Sequence, residues 1–342
     1  MSAHDPADHH GDLKTGDYNA PHLDLEIFPM IARRALLGFV LTLLLPGSLY
    51  AAVGSNCEWH TQKEPELCSY EPNTIGYTQD SDDSWFMDFK LSVRYQLFPV
   101  WSTRGLNYVH AGLGDDSAFY FAFTGRFGQY IGTRDSSPVV GKRFNPKLFY
   151  RYWTDEDHRA YVDFSLAHES NGQSITNEAE YQAARASAQK PEFADDQLSR
   201  GWDYVELMWK SVPVSHGTTT VSTYVMLKYF MRHGPLQGRA ENYNAWENNP
   251  EGKTRDRVNG VAGMIKYQQS WQWLAFTDVK IAMLYETGYR DPFRYNTYRL
   301  ELGTKVLQLP LTLWGQTGYN SDLAQYYKKV NSYGIQMEIG SF

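Results

Sequence analysis

From about residue 72 to its end, the chain repeats one pattern of alternating apolar and polar residues followed by a turn. Successive side chains of a β-strand point to opposite faces, so each run predicts a strand with one apolar and one polar face. Twelve runs are found, at residues 72–80, 85–97, 117–131, 147–154, 159–169, 201–211, 217–231, 257–268, 273–287, 294–304, 309–320 and 330–342. An even number of strands suits a closed antiparallel barrel.

The two faces of these runs favour a membrane barrel over a soluble sandwich. Val162, Phe164 and Leu166 share one face, whereas Asp163 and Glu169 lie on the other. Mean hydropathy is −0.52, and no apolar run of about 18 residues occurs in the body of the chain, which argues against membrane-spanning helices. The expected fold is therefore all-β, a 12-stranded antiparallel transmembrane barrel with a polar lumen.

Connection lengths predict the orientation of this barrel. The long connections 171–200 and 232–256 fall at one end, whereas most connections at the other end are short. Outer-membrane barrels have short periplasmic turns and long outer loops, so the long connections are expected outside. The connection at 98–116 is an exception to this rule.

The first seventy residues are expected to lie outside the barrel. Residues 1–29 are polar and patternless, and 30–52 read as a signal peptide with two arginines before an 11-residue apolar run. Residues 53–71 would form a periplasmic segment and 72–342 the barrel domain. Cys57 and Cys68 are the two cysteines, which favours a disulfide over a metal site in an oxidising compartment.

One stretch, LAHESNGQS at 166–174, places reactive side chains on the lipid-facing side of the predicted barrel. His168 and Ser170 continue the apolar face of their strand at its outer end, and Asp203 begins the same face of the next strand. These residue types can act as general base, nucleophile and base-orienting group, and the Gly172 N–H could stabilise an oxyanion. A plain Asn-Gly turn beside an interfacial histidine explains the spacing equally well.

Several co-linear motifs resemble the outer membrane phospholipase A family: HESNGQS, SRGWD at 199–203, SSP at 136–138 and NPKLF at 145–149. The resemblance implies a calcium-dependent phospholipase A1/A2 of the Gram-negative outer membrane, active as a homodimer on phospholipids and lysophospholipids near the outer leaflet. Ser170 matches the nucleophile, His168 the base and Gly172 the oxyanion-hole glycine. Asp203 stands where the family has Asn. Since both side chains offer an oxygen to a histidine N–H, the sequence alone predicts that Asp203→Asn retains substantial activity.

The resemblance also implies the calcium ligands. Matching positions are the Ser199 hydroxyl, the Gln173 carbonyl and Ser136 from a second subunit, and oxygen ligands suit this hard cation. On residue type alone, the two serines could simply cap turns.

Other features narrow the functions that remain. The connection at 171–200 is longer than the family pattern needs, and its middle predicts a short helix. The net charge of −7 and the lack of a basic stripe argue against a nucleic-acid partner. Two rival functions stay open, a passive porin or structural barrel and a barrel enzyme that deacylates lipopolysaccharide.

Overall fold

The computed structural model describes residues 67–80, 85–97, 117–247, 249 and 251–339. Twelve strands, numbered β1 to β12, form the barrel: Asn73–Asp80, Trp85–Gln96, Ser117–Gln129, Val139–Trp153, Tyr161–Ser170, Gly201–Lys210, Thr219–Phe230, Gly260–Trp273, Phe276–Gly288, Thr297–Val306, Leu309–Gly318 and Val330–Ile339. Short strands lie at Leu67–Ser69, Val214–His216, His233–Gly234 and Gly238–Arg239. Two helices, α1 and α2, span Glu178–Ser187 and Arg255–Val258, and a 3₁₀ helix spans Pro191–Gln197.

Each strand pairs antiparallel with its sequence neighbours, and β12 pairs with β1 to close the barrel. The closing register runs from Ser332 opposite Asp80 to Ile339 opposite Asn73. Closure pairs the backbone groups of both edge strands, which a sheet in lipid requires. The predicted 12-stranded antiparallel barrel is confirmed.

Predictions for the first seventy residues and for the connection at 98–116 lie largely outside the described residues. Leu67–Ser69 is described, and it pairs with β2 beyond the start of β1. Cys68 is disulfide-bonded, and Cys57 lies outside the described residues. In the part of the chain that the structure describes, no helix is long and apolar enough to cross a membrane.

Two strand boundaries differ from the sequence prediction. Strand β4 begins at Val139, eight residues before the predicted 147, and continues through Pro146. The predicted connection at 269–272 is wrong, because β8 continues to Trp273, which pairs with Phe276 across a two-residue turn. Leu274 in this turn adopts the left-handed backbone conformation, with a φ of 55°.

The exterior of the barrel carries the apolar face of each strand. Phe164 is 56% exposed, Met283 63% and Val205 41%, whereas Asp163 and Glu169 on the opposite face are fully buried. The predicted facing of β5 and β6 is thus confirmed. Such an apolar exterior would be unfavourable in water and is typical of a barrel that lies in lipid.

Ion pairs crowd the lumen. Lys147 on β4 pairs with Glu206 on β6 at 2.5 Å, and Arg151 pairs with Asp163 at 2.7 Å. Buried charges need such partners, because an unpaired charge in this environment would be costly. The polar space that remains has a volume of ≈ 570 Å³.

Loops fill one mouth of the barrel, here called the long-loop end, which carries the connections 130–138, 171–200, 231–259, 289–296 and 319–329. Their side chains form one apolar cluster with the strands, made of Ala167, Trp202, Tyr204, Phe230, Val258, Tyr295, Leu323, Tyr326 and Tyr327. Arg255 of α2 reaches into the barrel and donates to Glu169 Oε1 at 2.7 Å. The long-loop end is therefore packed with side chains, as in a protein core.

The predicted helix in the 171–200 connection is confirmed as α1. Asn177 caps it, since its Oδ1 accepts from Glu180 N at 3.0 Å, and Glu180 Oε2 accepts from Thr176 N at 3.0 Å. This reciprocal capping satisfies backbone donors that the first turn would leave free.

Asp196 anchors this connection to the rim of the barrel. Its carboxylate accepts from Tyr130 Oη at 3.1 Å, Arg134 at 2.5 Å and Lys142 at 3.4 Å. Burial alone would raise the pKa of Asp196, but Lys142 and Arg134 outweigh burial and hold this pKa below its usual value.

Candidate active site

His168 on β5 and Asp203 on β6 face each other directly in the antiparallel register. His168 Nδ1 lies 2.7 Å from Asp203 Oδ1, a hydrogen-bond distance. Both residues belong to the outward face of their strands, at the long-loop end. The His168 ring is therefore hydrogen-bonded to a carboxylate through Nδ1, and its Nε2 is left for another partner.

A hairpin, made of His233–Gly234 and Gly238–Arg239, covers Asp203 on the outside of the barrel. The backbone N–H groups of Leu236 and Gln237 donate to Asp203 Oδ2 at 2.6 and 3.0 Å. Asp203 is consequently only 2% exposed, although its strand position faces outward. One oxygen of the carboxylate thus holds the histidine and the other holds the hairpin.

Ser170 lies two residues beyond His168 on the same face, opposite Gly201 of β6. The residue is half-buried. Within the described residues, no hydrogen bond joins Ser170 Oγ to His168. Catalytic hydrogen bonds are often long or poorly aligned in the free enzyme and tighten only when substrate binds.

Pro146 and Asn145 fix the backbone that carries His168. The register places Pro146 opposite His168, and a proline has no N–H to donate to the facing strand. Asn145 Nδ2 donates to the His168 carbonyl at 2.7 Å instead, and the Asn145 amide also bonds Tyr204 Oη. Asn145 of the NPKLF motif thus supplies the hydrogen bond to the His168 carbonyl that the proline of β4 cannot donate.

Gly172 follows the strand with a φ of +65°, which glycine adopts without strain. In the described part of the chain its N–H has no backbone acceptor. Asn171, fully buried, fixes the turn by donating to the Leu198 carbonyl and accepting from Arg200 N. Among the described residues, the Gly172 N–H is therefore without a backbone partner at the end of the strand, and its oxyanion role stays a prediction.

Two of the three expected calcium ligands lie on neighbouring segments. Ile175 and Leu198 form an isolated β-bridge, and Ser199 N donates to the Ile175 carbonyl at 2.9 Å, which brings Ser199 alongside the segment that follows Gln173. Ser199 Oγ donates to Glu241 Oε2 at 2.9 Å. The Ser199 hydroxyl and the Glu241 carboxylate are oxygen groups of the kind that calcium binds.

The remaining expected ligand, Ser136, lies in an exposed turn with a φ of 61°. Its expected role is to reach a second subunit, which one chain does not test. Among the described residues, no group of three or more His, Cys, Asp and Glu side chains is placed to hold a metal ion.

Comparisons with solved structures agree with this architecture. Outer membrane phospholipase A from Escherichia coli matches with a TM-score of 0.51 at 19% identity, over 81% of this chain and 99% of that one. A calcium-bound dimer of the Salmonella typhi outer membrane phospholipase matches with a TM-score of 0.51 at 17% identity, over 80% of this chain and 92% of that one. The chain has the fold of outer membrane phospholipase A. No family model and no curated protein sequence matches the chain.

Sequence reasoning missed the 232–256 connection as part of the site. It supplies the two N–H donors to Asp203, and Glu241 beside Ser199. The stretch Pro-Leu-Gln-Gly at 235–238 signals a turn. Nothing in that signal indicates where the hairpin docks, because docking depends on contacts between residues far apart in the chain.

Proposed function

We propose that the chain is an outer-membrane phospholipase A that hydrolyses acyl esters of phospholipids and lysophospholipids. The observation that carries this proposal is the His168 to Asp203 hydrogen bond of 2.7 Å on the apolar exterior of the barrel, with Ser170 on the same face. Buried polar groups at a lipid-facing surface cost free energy and mark functional positions. An enzyme whose substrate is the surrounding lipid needs its catalytic groups at this place.

The chemistry follows from the three side chains. Ser170 Oγ attacks the ester carbonyl while His168 Nε2 takes its proton, and the acyl group is transferred to Ser170. His168 then gives the proton to the leaving alcohol, and a water hydrolyses the acyl-enzyme by the same steps. Asp203 keeps the proton of the neutral ring on Nδ1 and stabilises the imidazolium. The Gly172 N–H donates to the oxyanion.

The residues at Ser199 fit a calcium ion. The Ser199 hydroxyl, the Gln173 carbonyl and the Glu241 carboxylate would hold it, and Ser136 of a second copy would complete the site in a homodimer. Bound there, calcium would supply electrostatic stabilisation of negative charge at the ester. The carboxylate adds the negative charge that a purely neutral ligand set would lack.

A porin function has less support. The apolar cluster occupies the long-loop end, and ion pairs cross the lumen, where a porin needs a water-filled passage. We therefore expect no appreciable ion conductance across planar bilayers.

Fatty-acid release from phospholipid in mixed detergent micelles tests the proposed function. The full chain is assayed with calcium and then with a chelator, beside Ser170→Ala. The matched control is Ser215→Ala, since Ser215 is exposed on a short strand at the opposite end. Calcium-dependent release that only Ser170→Ala abolishes is the expected result. No release from a folded barrel would reject the enzyme, and release that resists the chelator would reject the calcium site.

A further inference from the structure

The hairpin over Asp203 lies on the lipid-facing side of the barrel and is held there by close backbone contact. A side chain at Gly234 would overlap the carboxylate of Asp203, so the hairpin backbone lies directly on that residue. The hairpin also continues the hydrogen bonding of β6, because Glu241 N donates to the Gly201 carbonyl at 3.1 Å. Residues of this hairpin are therefore in fixed positions next to the catalytic groups.

Gln237 extends from this hairpin to Gly201. A Cβ added at Gly201 would overlap Gln237 Oε1 and lie 2.8 Å from Cδ and Nε2, so the amide occupies the space that a side chain at Gly201 would take. Gly201 is directly opposite Ser170 in the register. Opposed residues of a sheet have Cβ atoms about 4.5–5.5 Å apart. The Gln237 amide is thus the cross-strand neighbour of Ser170.

The Oε1 atom of Gln237 is buried and has no hydrogen-bond partner among the described residues. Buried amides are normally paired, because an unpaired one loses its bonds to water without replacement. A half-turn about the last side-chain bond exchanges the oxygen and the nitrogen, so either group can point towards Ser170. An unpaired amide beside a nucleophile is suited to a partner that arrives with the substrate.

The ester carbonyl oxygen becomes negatively charged when Ser170 attacks, and such an oxyanion is commonly stabilised by more than one donor. Gly172 supplies one N–H. We propose that the Gln237 side-chain amide donates its Nε2–H to the same carbonyl oxygen, as a second oxyanion donor. This inference rests on the proposed function. It makes Gln237 a catalytic residue that contacts the substrate, apart from the role of its backbone N–H in holding Asp203.

Steady-state kinetics of Gln237→Met test the proposal. Methionine keeps the length of the side chain and the backbone N–H to Asp203 but removes the amide. We expect kcat to fall about 10²-fold with little change in KM, as for the loss of one oxyanion donor. The matched control, Gln182→Met on the exposed face of α1, is expected to retain wild-type kinetics. Heat-modified mobility on electrophoresis checks that every variant forms the barrel.

A change of substrate distinguishes direct contact between the Gln237 amide and the substrate from an indirect effect of the substitution on the structure. In a phospholipid whose reacting carbonyl oxygen is replaced by sulfur, the acceptor is weaker, so Gln237→Met should lower kcat much less than with the oxygen ester. An equal loss on both substrates, or kcat within threefold of wild type on the oxygen ester, would overturn the proposal. If the wild-type chain in the same preparation releases fatty acid and Ser170→Ala does not, either of these results rejects the role of Gln237 and leaves the proposed phospholipase function intact. A wild-type chain without activity would overturn both.

Discussion

The hydrogen bonds of Asp203 lead to a different prediction for Asp203→Asn than the sequence alone. From the sequence alone an Asn retains substantial activity, since its oxygen can accept from His168. In the structure both carboxylate oxygens accept hydrogen bonds, Oδ1 from His168 and Oδ2 from the Leu236 and Gln237 N–H groups. An Asn has one oxygen and cannot serve both sides.

The magnitude follows from the two orientations of the amide. With its oxygen towards His168, the NH₂ group faces two N–H donors, and leaving both donors unpaired costs about 2–6 kcal/mol. With its oxygen towards the hairpin, the NH₂ group donates to Nδ1 and leaves the histidine proton on Nε2, where the ring cannot accept from Ser170. The second orientation is favoured. Since about 1.4 kcal/mol is a factor of ten, the competent arrangement becomes roughly 30 to 10⁴ times rarer.

The assay is the initial rate of fatty-acid release with calcium in mixed micelles. We expect Asp203→Asn to lower kcat by about 30-fold to 10⁴-fold while the barrel remains folded. Asp157→Asn is the matched control, because Asp157 lies in the exposed 154–160 turn at the opposite end. Activity above a tenth of wild type in a folded Asp203→Asn barrel would refute this reasoning.

Three further outcomes follow from the same contacts. Gly234→Ala should displace the hairpin and lower activity at least tenfold, whereas Gly315→Ala, with open space at that position, should be neutral in the same assay. Glu241→Gln should weaken calcium binding at least tenfold in terbium-competition titrations, and the exposed Glu178→Gln should not; equal affinities would exclude Glu241 as a ligand. The lowered pKa of Asp196 stabilises the folded chain above about pH 4, the usual pKa of a free Asp, and this contribution is lost as pH falls further. The unfolding midpoint of the wild type should therefore fall as the pH is lowered below 4, and the midpoint of Asp196→Asn should fall less. Parallel pH profiles of the two midpoints would contradict this contribution of Asp196.

The alternation of the sequence predicted the barrel because lipid on one side and a polar lumen on the other impose a period of two residues. Every one of the twelve strands overlaps a predicted run. The early start of β4 was missed because Pro146 normally marks an edge or an end. Asn145 replaces the missing backbone bond, and no local pattern shows this. The turn at Leu274 was missed because neither of its residues is a usual turn former.

The site was predictable only in part, for a related reason. His168 and Ser170 follow from alternation within one strand, and the structure places Asp203 opposite His168, as the motif at 199–203 indicated. The contacts of Gln237 and Glu241 join segments more than thirty residues apart in sequence. Their loop has no periodicity that would indicate where it packs, so only the fold brings these residues to the site.

The central claim is that Ser170 is a nucleophile activated by His168 on the exterior of the barrel. The most direct test is to treat the folded chain with a long-chain alkyl sulfonyl fluoride, which sulfonylates activated serines, and to locate the adduct by peptide mass spectrometry. We expect one adduct per chain, on Ser170, that is lost in His168→Ala. An adduct on another residue, or none in a chain that releases fatty acid, would contradict it.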